Sequence, residues 1–183
     1  MKIISKQIFI LLIVSIIFSS CGSPVKKDIV FIPDGSEVIL IEKSEIILDD
    51  GDTFEYRGKG IRVLGMDTPE ISHPEHGFHE DQSFGREASA YTAALLHNAE
   101  VISYLPYQDD RYGRMLAHVF VDGELLSIQL IEAGLAYETV SYYGDNGFPE
   151  LAERILETAE NSEVKEFIPP YKWRREHRRS PRN

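Results

Sequence analysis

Residues 37–70 read EVILIEKSEIILDDGDTFEYRGKGIRVLGMDTPE, and this stretch decides the fold. Its two apolar runs, at residues 38–41 and 46–48, predict one long or bent buried strand. The sequences DDGD and RGKG are turn signals, and they flank alternating apolar and polar residues at positions 53–56. A third strand is predicted at residues 61–66. The stretch therefore predicts a meander of three short strands joined by tight turns.

The remainder of the chain adds one helix, two strands and two further helices. The predicted elements are a helix over residues 88–98, strands over 101–105 and 115–121, a helix over 125–133, and a helix that begins near Pro149. Five strands with a helix inserted after the third predict a small, partly closed barrel of the OB-fold type, mainly β with α and with three helices. Such barrels commonly bind oligonucleotides or oligosaccharides, an argument from architecture alone.

Composition limits the class of protein. The chain has 183 residues, is 43% hydrophobic and carries a formal net charge of −11. These values fit one globular domain and exclude a mainly disordered chain. A single cysteine excludes a disulfide framework. The acidic balance argues against a generic nucleic-acid coat, although an enzyme can contact nucleic acid at one small basic site.

The N-terminus has the pattern of an export signal. Lys2 and Lys6 precede the apolar run at residues 8–18, and small serines then lead into Cys21. The segment resembles the lipobox of bacterial lipoproteins, although Phe18 stands where leucine is usual. We therefore expect residues 1–20 to be a signal peptide and Cys21 to be lipidated, which would anchor the exported protein to a bacterial membrane in the cell envelope. The alternative is a plain signal peptide with a stray cysteine.

Domain boundaries follow from changes in composition. Residues 21–36 contain small residues, lysines and prolines, and they predict a lipidated tether. The folded domain is expected over residues 37–171. Residues 172–183 hold six basic side chains against the single acidic Glu176, and this pattern is typical of a disordered, solubilising tail that frays easily.

Carboxylates at predicted strand ends indicate a cation site. Asp52 begins one strand and Asp67 ends the next, so antiparallel pairing would bring the two side chains together. Carboxylate oxygens form a hard site that suits calcium more than zinc, and a backbone carbonyl near Thr68 would complete it. Glu70, held close by the preceding proline, would orient or deprotonate a water molecule.

Two arginines complete the predicted chemistry. Arg62 lies on the strand that leads to Asp67, and Arg114 begins a different strand after a glycine. A planar guanidinium matches two phosphate oxygens, which lysine cannot do. Both heads are expected to face solvent or ligand. With a cation and a carboxylate base, the set predicts phosphodiester hydrolysis.

At this point the chain resembles the staphylococcal nuclease family, also called thermonucleases. The resemblance extends from about residue 37 to the end of the third helix. It is carried by DGDT at 50–53, IRVLGMDTPE at 61–70, HP at 73–74, FGREASAYT at 84–92, DRYGR at 110–114 and EAGLAY at 132–137. It implies an OB-fold and a calcium-dependent endonuclease that cleaves DNA and RNA and leaves 3′-phosphate ends. The enzyme is expected to act as a monomer.

The resemblance also implies residue roles. Asp52 and Asp67 would be calcium carboxylates, Thr68 the carbonyl ligand, Glu70 the general base, and Arg62 and Arg114 the phosphate clamps. Asp50 would support the metal site. Tyr112 would lie beside the phosphate, and either Tyr142 or Tyr143 would contact substrate. Val140 occupies the place of another family tyrosine, which predicts weaker base stacking.

Two other functions remain open on sequence alone. One is a catalytically silent OB-type binding module, although all six charged or ligating positions are present. The other is a metal-binding lipoprotein without enzyme activity, in which the loop residues His73, His76 and His79 hold a transition metal. A mobile loop on the substrate side is the plainer interpretation of these histidines.

Overall fold

A computed structural model describes residues 29–31 and 37–177, and for residues 29–31 it describes the backbone alone. The strands are β1 (Ile29–Phe31), β2 (Glu37–Ile41), β3 (Ile46–Leu48), β4 (Thr53–Tyr56), β5 (Lys59–Val63), β6 (Met66–Asp67), β7 (Ile102–Asp109), β8 (Met115–Val121), β9 (Glu124–Leu125) and β10 (Tyr137–Glu138). The helices are α1 (Gly85–Asn98), α2 (Leu126–Glu132), α3 (Val140–Tyr143), α4 (Pro149–Glu160) and α5 (Pro170–His177). Within these residues, no helix combines the length and apolar character that a membrane-spanning segment needs.

The main sheet curls because the two halves of one bent strand lie at or next to its opposite edges. The strand order is β1-β2-β7-β8-β5-β4-β3, with β9 paired to β8. β2 and β3 are the two halves of one bent strand, separated by a 3-10 turn at Lys43–Glu45. β2 pairs with β7 and β3 pairs with β4, so the order of paired strands starts near one half of this bent strand and ends at the other half. The predicted OB-fold, mainly β with α, is confirmed.

The core lies inside the curled sheet. Phe54, Ile61 and Val119, on β4, β5 and β8, are at most 1% exposed and belong to it. In β5 buried and partly exposed residues alternate, so Ile61 and Val63 face the core. Helices α2 and α4 close this interior with Leu130 and Ile155, both fully buried. The opposite face of β5 is left for polar side chains, and the functional residues lie there.

The predicted strand over residues 61–66 is interrupted. β5 ends at Val63, and Gly65 turns the chain with a φ of +85°, a conformation that glycine adopts at low cost. The chain resumes as β6, which pairs with β10 so that Asp67 lies opposite Tyr137. Asp67 was expected at the end of the strand that pairs with the one begun by Asp52. It lies instead on β6, which pairs with β10.

Both ends of the domain differ from the prediction. Residues 29–31 of the predicted tether pair with β2, while the rest of the predicted signal peptide and tether, including Cys21, lies outside the described residues. The boundary at residue 171 falls inside α5, which carries the start of the predicted tail. Trp173 is 6% exposed and its ring packs 5.8 Å from that of Phe78, so burial of this side chain orders the segment as far as His177.

Candidate active site

The Asp-Gly-Asp turn is fixed from two sides. The hydroxyl of Thr92, in α1, donates a 2.7 Å hydrogen bond to the carbonyl of Gly51. A Cβ at Gly51 would lie 2.7 Å from the Thr68 hydroxyl oxygen, so only glycine allows this close approach. The carboxylate of Asp50 accepts the amide hydrogen of Asp52 at 3.0 Å. These contacts hold the turn against the segment that carries Asp67 and Thr68.

Asp52 and Asp67 meet around one guanidinium. Nη1 of Arg62 donates to Oδ1 of Asp52, and Nη2 donates to Oδ1 of Asp67 at 2.6 Å. The amide of Thr68 also donates to Oδ2 of Asp52 at 2.9 Å. Only 17% of the Arg62 side chain is exposed. Most of this head is therefore buried between two carboxylates and not open to solvent as expected, while contact of its exposed remainder with a ligand stays a prediction.

Glu70 is positioned by the start of α1. Its amide donates to Oε1 of Gln82 at 3.2 Å, and its carbonyl accepts the amide hydrogen of Gln82 at 2.9 Å. A Cβ at Gly85 would lie 2.1 Å from the Glu70 carbonyl oxygen, which explains a glycine at the first residue of the helix. The carboxylate of Glu70, in a residue 7% exposed, accepts a hydrogen bond from Arg174.

Arg174 was not expected in the site. It lies on α5 and donates two hydrogen bonds to Asp67, from Nη1 to Oδ1 at 2.9 Å and from Nη2 to Oδ2 at 2.8 Å. The same Nη1 contacts Glu70. The sequence signal for this placement is Trp173, the one tryptophan of the chain, whose burial brings the neighbouring residue into the cluster.

The buried carboxylates outnumber the arginines that pair with them. The carboxylates are Asp50, Asp52, Asp67 and Glu70, each at most 8% exposed. Arg62 and Arg174 supply two positive charges, which leaves a formal charge of −2 when all four acids are ionised. The four acids of the cluster offer carboxylate oxygens, the ligand atoms that hard divalent cations prefer. The residues present therefore fit calcium.

Burial and the arginines compete over the pKa values of these acids. Burial raises the pKa of Asp50 and of Glu70, and it raises that of Asp52 to about 7 against the attraction of Arg62. Burial also opposes the ionised form of Asp67, but Arg62 and Arg174 outweigh it and lower the pKa of that carboxyl. Asp67 is thus the most firmly ionised acid of the cluster.

Arg114 lies on the same face of the sheet as Arg62. A Cβ at Gly60 would lie 3.2 Å from Cγ of Arg114, so the arginine stem crosses over that glycine. Gly60 and Arg62 are two residues apart in β5 and therefore face the same side. The Arg114 side chain is 34% exposed and its guanidinium pairs with Asp110, with Nη2 2.8 Å from Oδ2. Both arginines are therefore available to one ligand on this face.

The predicted tyrosines are exposed. Tyr112 is 62% exposed, and its ring centroid lies 5.6 Å from Cζ of Arg114. Tyr142 and Tyr143, in α3, are 82% and 67% exposed and pack edge to face at 4.7 Å. Val140 turns inward. The choice between Tyr142 and Tyr143 as a substrate contact stays a prediction.

Of the three loop histidines, His73 and His76 lie close together, with ring centroids 5.9 Å apart, but the group of possible metal ligands joins His73 to two aspartates. Ligand atoms of His73, Asp49 and Asp50 lie within 4.8 Å of one another, whereas His76 and His79 are exposed and take no part in that group. Nε2 of His73 is buried without a hydrogen-bond partner among the described residues. Transition-metal binding by the histidine loop stays a prediction.

Comparison with known proteins identifies the family. Residues 60–164 match the family model described as "Staphylococcal nuclease homologue". The thermonuclease of Staphylococcus intermedius is 31% identical over 144 residues, which are 74% of this chain and 81% of that protein. The thermonuclease of Staphylococcus hyicus is 37% identical over 48% of this chain and 53% of its own length. The endonuclease YncB of Bacillus subtilis is 37% identical over 48% of this chain and 43% of its own length.

The matched region contains most of the site. It includes β5 with Arg62, the segment with Asp67 and Glu70, and Arg114, and the alignment over 144 residues extends well beyond it. This chain spans about half of the Staphylococcus hyicus protein and most of the Staphylococcus intermedius protein. The relatives are named as nucleases, and the predicted enzyme class is confirmed at this level. The chain therefore belongs to the staphylococcal nuclease family.

Proposed function

We propose that this chain is a calcium-dependent endonuclease that hydrolyses phosphodiester bonds in DNA and RNA and leaves 3′-phosphate ends. One observation carries the proposal: four buried carboxylates outnumber the two arginines paired with them, and one of these, Arg62, shares a sheet face with Arg114. The cluster attracts a cation, and the arginines attract the anionic backbone of a nucleic acid.

Asp52 and Asp67 would hold calcium, with the carbonyl of Thr68 as a further ligand and Asp50 as a supporting carboxylate. When bound, calcium supplies positive charge that stabilises the negative charge developing on a phosphoryl group. The protein fixes both carboxylates before any ion arrives, because Arg62 and the amide of Thr68 hold them in place. This preorganisation reduces the reorganisation that the reaction would otherwise require.

Arg62 and Arg114 would bind the phosphoryl oxygens. Arg62 is fixed by its two carboxylate partners, so its free N–H groups keep a defined direction. Arg114 is held less tightly by Asp110 at the sheet surface, and it can exchange that partner for a phosphate. Tyr112 lies against Arg114 and would shield the same phosphate from solvent.

Glu70 would act as the general base. Its carboxylate accepts a proton from the attacking water while the water oxygen forms a bond to phosphorus. The bond between phosphorus and the 5′ oxygen breaks, and the leaving oxygen takes up a proton from solvent water to become a hydroxyl, while Glu70 later returns its proton to solvent. The phosphate remains on the 3′ side of the cut. The backbone contacts of Glu70 with Gln82 keep the base in position.

We also propose that the protein is exported and anchored to a bacterial membrane through lipidation of Cys21, with a monomeric nuclease domain in the cell envelope. The support is the order of a positive segment, an apolar run and small residues before the cysteine. DNA and RNA would then be substrates met outside the cytoplasm.

A cleavage assay with calcium tests the catalytic proposal. We expect cleavage of DNA and RNA with calcium, reversible loss on chelation, and far less activity with magnesium, which demands stricter octahedral geometry. Asp67→Asn should abolish cleavage, whereas Glu55→Gln, the same charge change at an exposed position of β4, should not. Binding of nucleic acid without cleavage would favour the silent binding module. Robust turnover in excess chelator would contradict the metal requirement.

A further inference from the structure

Arg174 covers both oxygens of Asp67, one of the carboxylates proposed above to hold calcium. Both oxygens of Asp67 accept hydrogen bonds from its guanidinium, at 2.9 and 2.8 Å. Oδ1 also accepts a hydrogen bond from Arg62 at 2.6 Å. These three hydrogen bonds use three of the roughly four lone-pair sites of the carboxylate, and the edge that spans both oxygens is covered by Arg174. A calcium ion at about 2.3–2.6 Å cannot bind both oxygens while the guanidinium stays there.

We propose that Arg174 is a positioning residue that holds Asp67 and Glu70 in the ion-free protein, and that its guanidinium must leave Asp67 before calcium binds there. The inference rests on the calcium site proposed above. Arg174 thereby sets how much calcium the enzyme needs, and it keeps two buried acids paired when the ion is absent. This makes α5 a regulatory element of the nuclease.

The attachment of α5 explains how the guanidinium reaches the cluster. Trp173 packs on Phe78 and stacks on His177 with the ring centroids 4.4 Å apart. Upstream of the helix, Gln82 donates a 2.6 Å hydrogen bond to the carbonyl of Ile168. Gln82 also accepts the amide hydrogen of Glu70, so one side chain links the base to the segment that leads into α5.

The same attachment is limited enough to release Arg174. α5 has eight residues, of which Pro170 and Trp173 are buried. Helices of this length are marginal alone, so tertiary contacts hold it. The Arg174 side chain is 29% exposed, and water can therefore take over its hydrogen bonds when it leaves Asp67. If Arg174 stayed in place while calcium bound, three positive groups would lie against the Asp67 carboxylate: the ion and the guanidinium groups of Arg62 and Arg174.

Calcium binding without nucleic acid tests the inference. Arg174→Gln is compared with wild type and with Arg175→Gln, which removes the same charge from an exposed position of the same helix. By calorimetry, Arg174→Gln should bind calcium about 10- to 100-fold more tightly than wild type, the range of a charge-assisted hydrogen-bonded pair. Arg175→Gln should stay within about threefold of wild type, since distant exposed charges are screened.

The alternative role for Arg174 is a third phosphate contact. In that case Arg174→Gln would lower kcat and leave the calcium affinity equal to that of wild type, and this result would overturn the inference while leaving the calcium proposal intact. If neither wild type nor Arg174→Gln binds calcium, the proposed function fails and the inference fails with it.

Trp173 gives a second measurement in the wild-type protein, which is needed if Arg174→Gln does not fold. Because it is the one tryptophan of the chain and adjoins Arg174, its emission reports on α5. Calcium should shift that emission in wild type and in Arg175→Gln, and not in Asp67→Asn. An unchanged wild-type emission at saturating calcium would contradict displacement of the guanidinium.

Discussion

Arg62→Gln and Arg114→Gln should lower the catalytic rate equally, but only Arg62→Gln should weaken the fold. The difference follows from where each guanidinium lies. The Arg62 side chain is 17% exposed and joins two buried carboxylates. The Arg114 side chain is 34% exposed and pairs with one carboxylate at the surface.

The expected magnitudes follow from these environments. Removing one preorganised donor to a transition state costs about 3–4 kcal/mol, or about 10²–10³ in rate, at either position. Removing Arg62 also leaves Asp52 and Asp67 short of a partner, and breaking a buried pair in this way costs about 3–5 kcal/mol of stability. The Arg114 pair, one-third exposed, contributes at most about 1 kcal/mol. Asp110 keeps two backbone amide partners without it.

Urea unfolding without calcium and single-turnover cleavage with calcium measure the two effects separately. Arg→Lys at each site is the companion variant, because it keeps the charge and loses the planar fork. Equal stability losses for Arg62→Gln and Arg114→Gln would refute the burial argument. A rate within about threefold of wild type would remove that arginine from the mechanism.

Three further predictions concern regions outside the cluster. His118 is buried, and burial lowers its pKa to about 4. Between about pH 6.5 and 4 this side chain is therefore protonated in the unfolded chain and neutral in the folded chain. Stability from this group is complete above pH 6.5 and falls by about 3 kcal/mol as pH drops to 4; His118→Phe should remove that slope in urea titrations, and an unchanged slope would contradict it. Truncation after His177, which removes Arg178, Arg179 and Arg182 and keeps Arg174, should raise KM for long DNA at low salt with little change in kcat, and the difference should shrink as salt rises. Equal salt dependence of the two forms would make the tail a passive solubiliser. Cys21→Ser should shift the protein from a detergent-phase membrane fraction to soluble or unprocessed forms, and a wild type that is already soluble after export would refute lipidation.

Local patterns made the barrel predictable. The bent strand over residues 38–48 and the strands around the DDGD and RGKG turns are specified by apolar runs, alternation and turn residues, all of which act within a few positions. The grouping of Asp52 with Asp67 was expected because both lie at strand ends. Their shared contact with Arg62 was not expected, because a strand arginine is usually exposed.

Contacts between distant residues were not predictable in the same way. β6 has two residues, too few for any periodic pattern, and its partner β10 lies beyond α2. Arg174 lies 107 residues from Asp67 along the chain, and a basic segment near the C-terminus is usually a solvated tail. Its place in the cluster depends on the packing of Trp173, and the charge composition of the segment carries no information about that packing.

Because β6 pairs with β10, the first strands of the sheet can form earlier during synthesis than the carboxylate site. During synthesis the meander can pair once Val63 has emerged, because β3, β4 and β5 are neighbours in sequence. Asp67 has its strand partner only after Tyr137 is made, and Arg174 comes later still. A nascent or truncated chain can therefore hold the meander without a completed carboxylate cluster, and nuclease competence is among the last properties that the growing polypeptide acquires.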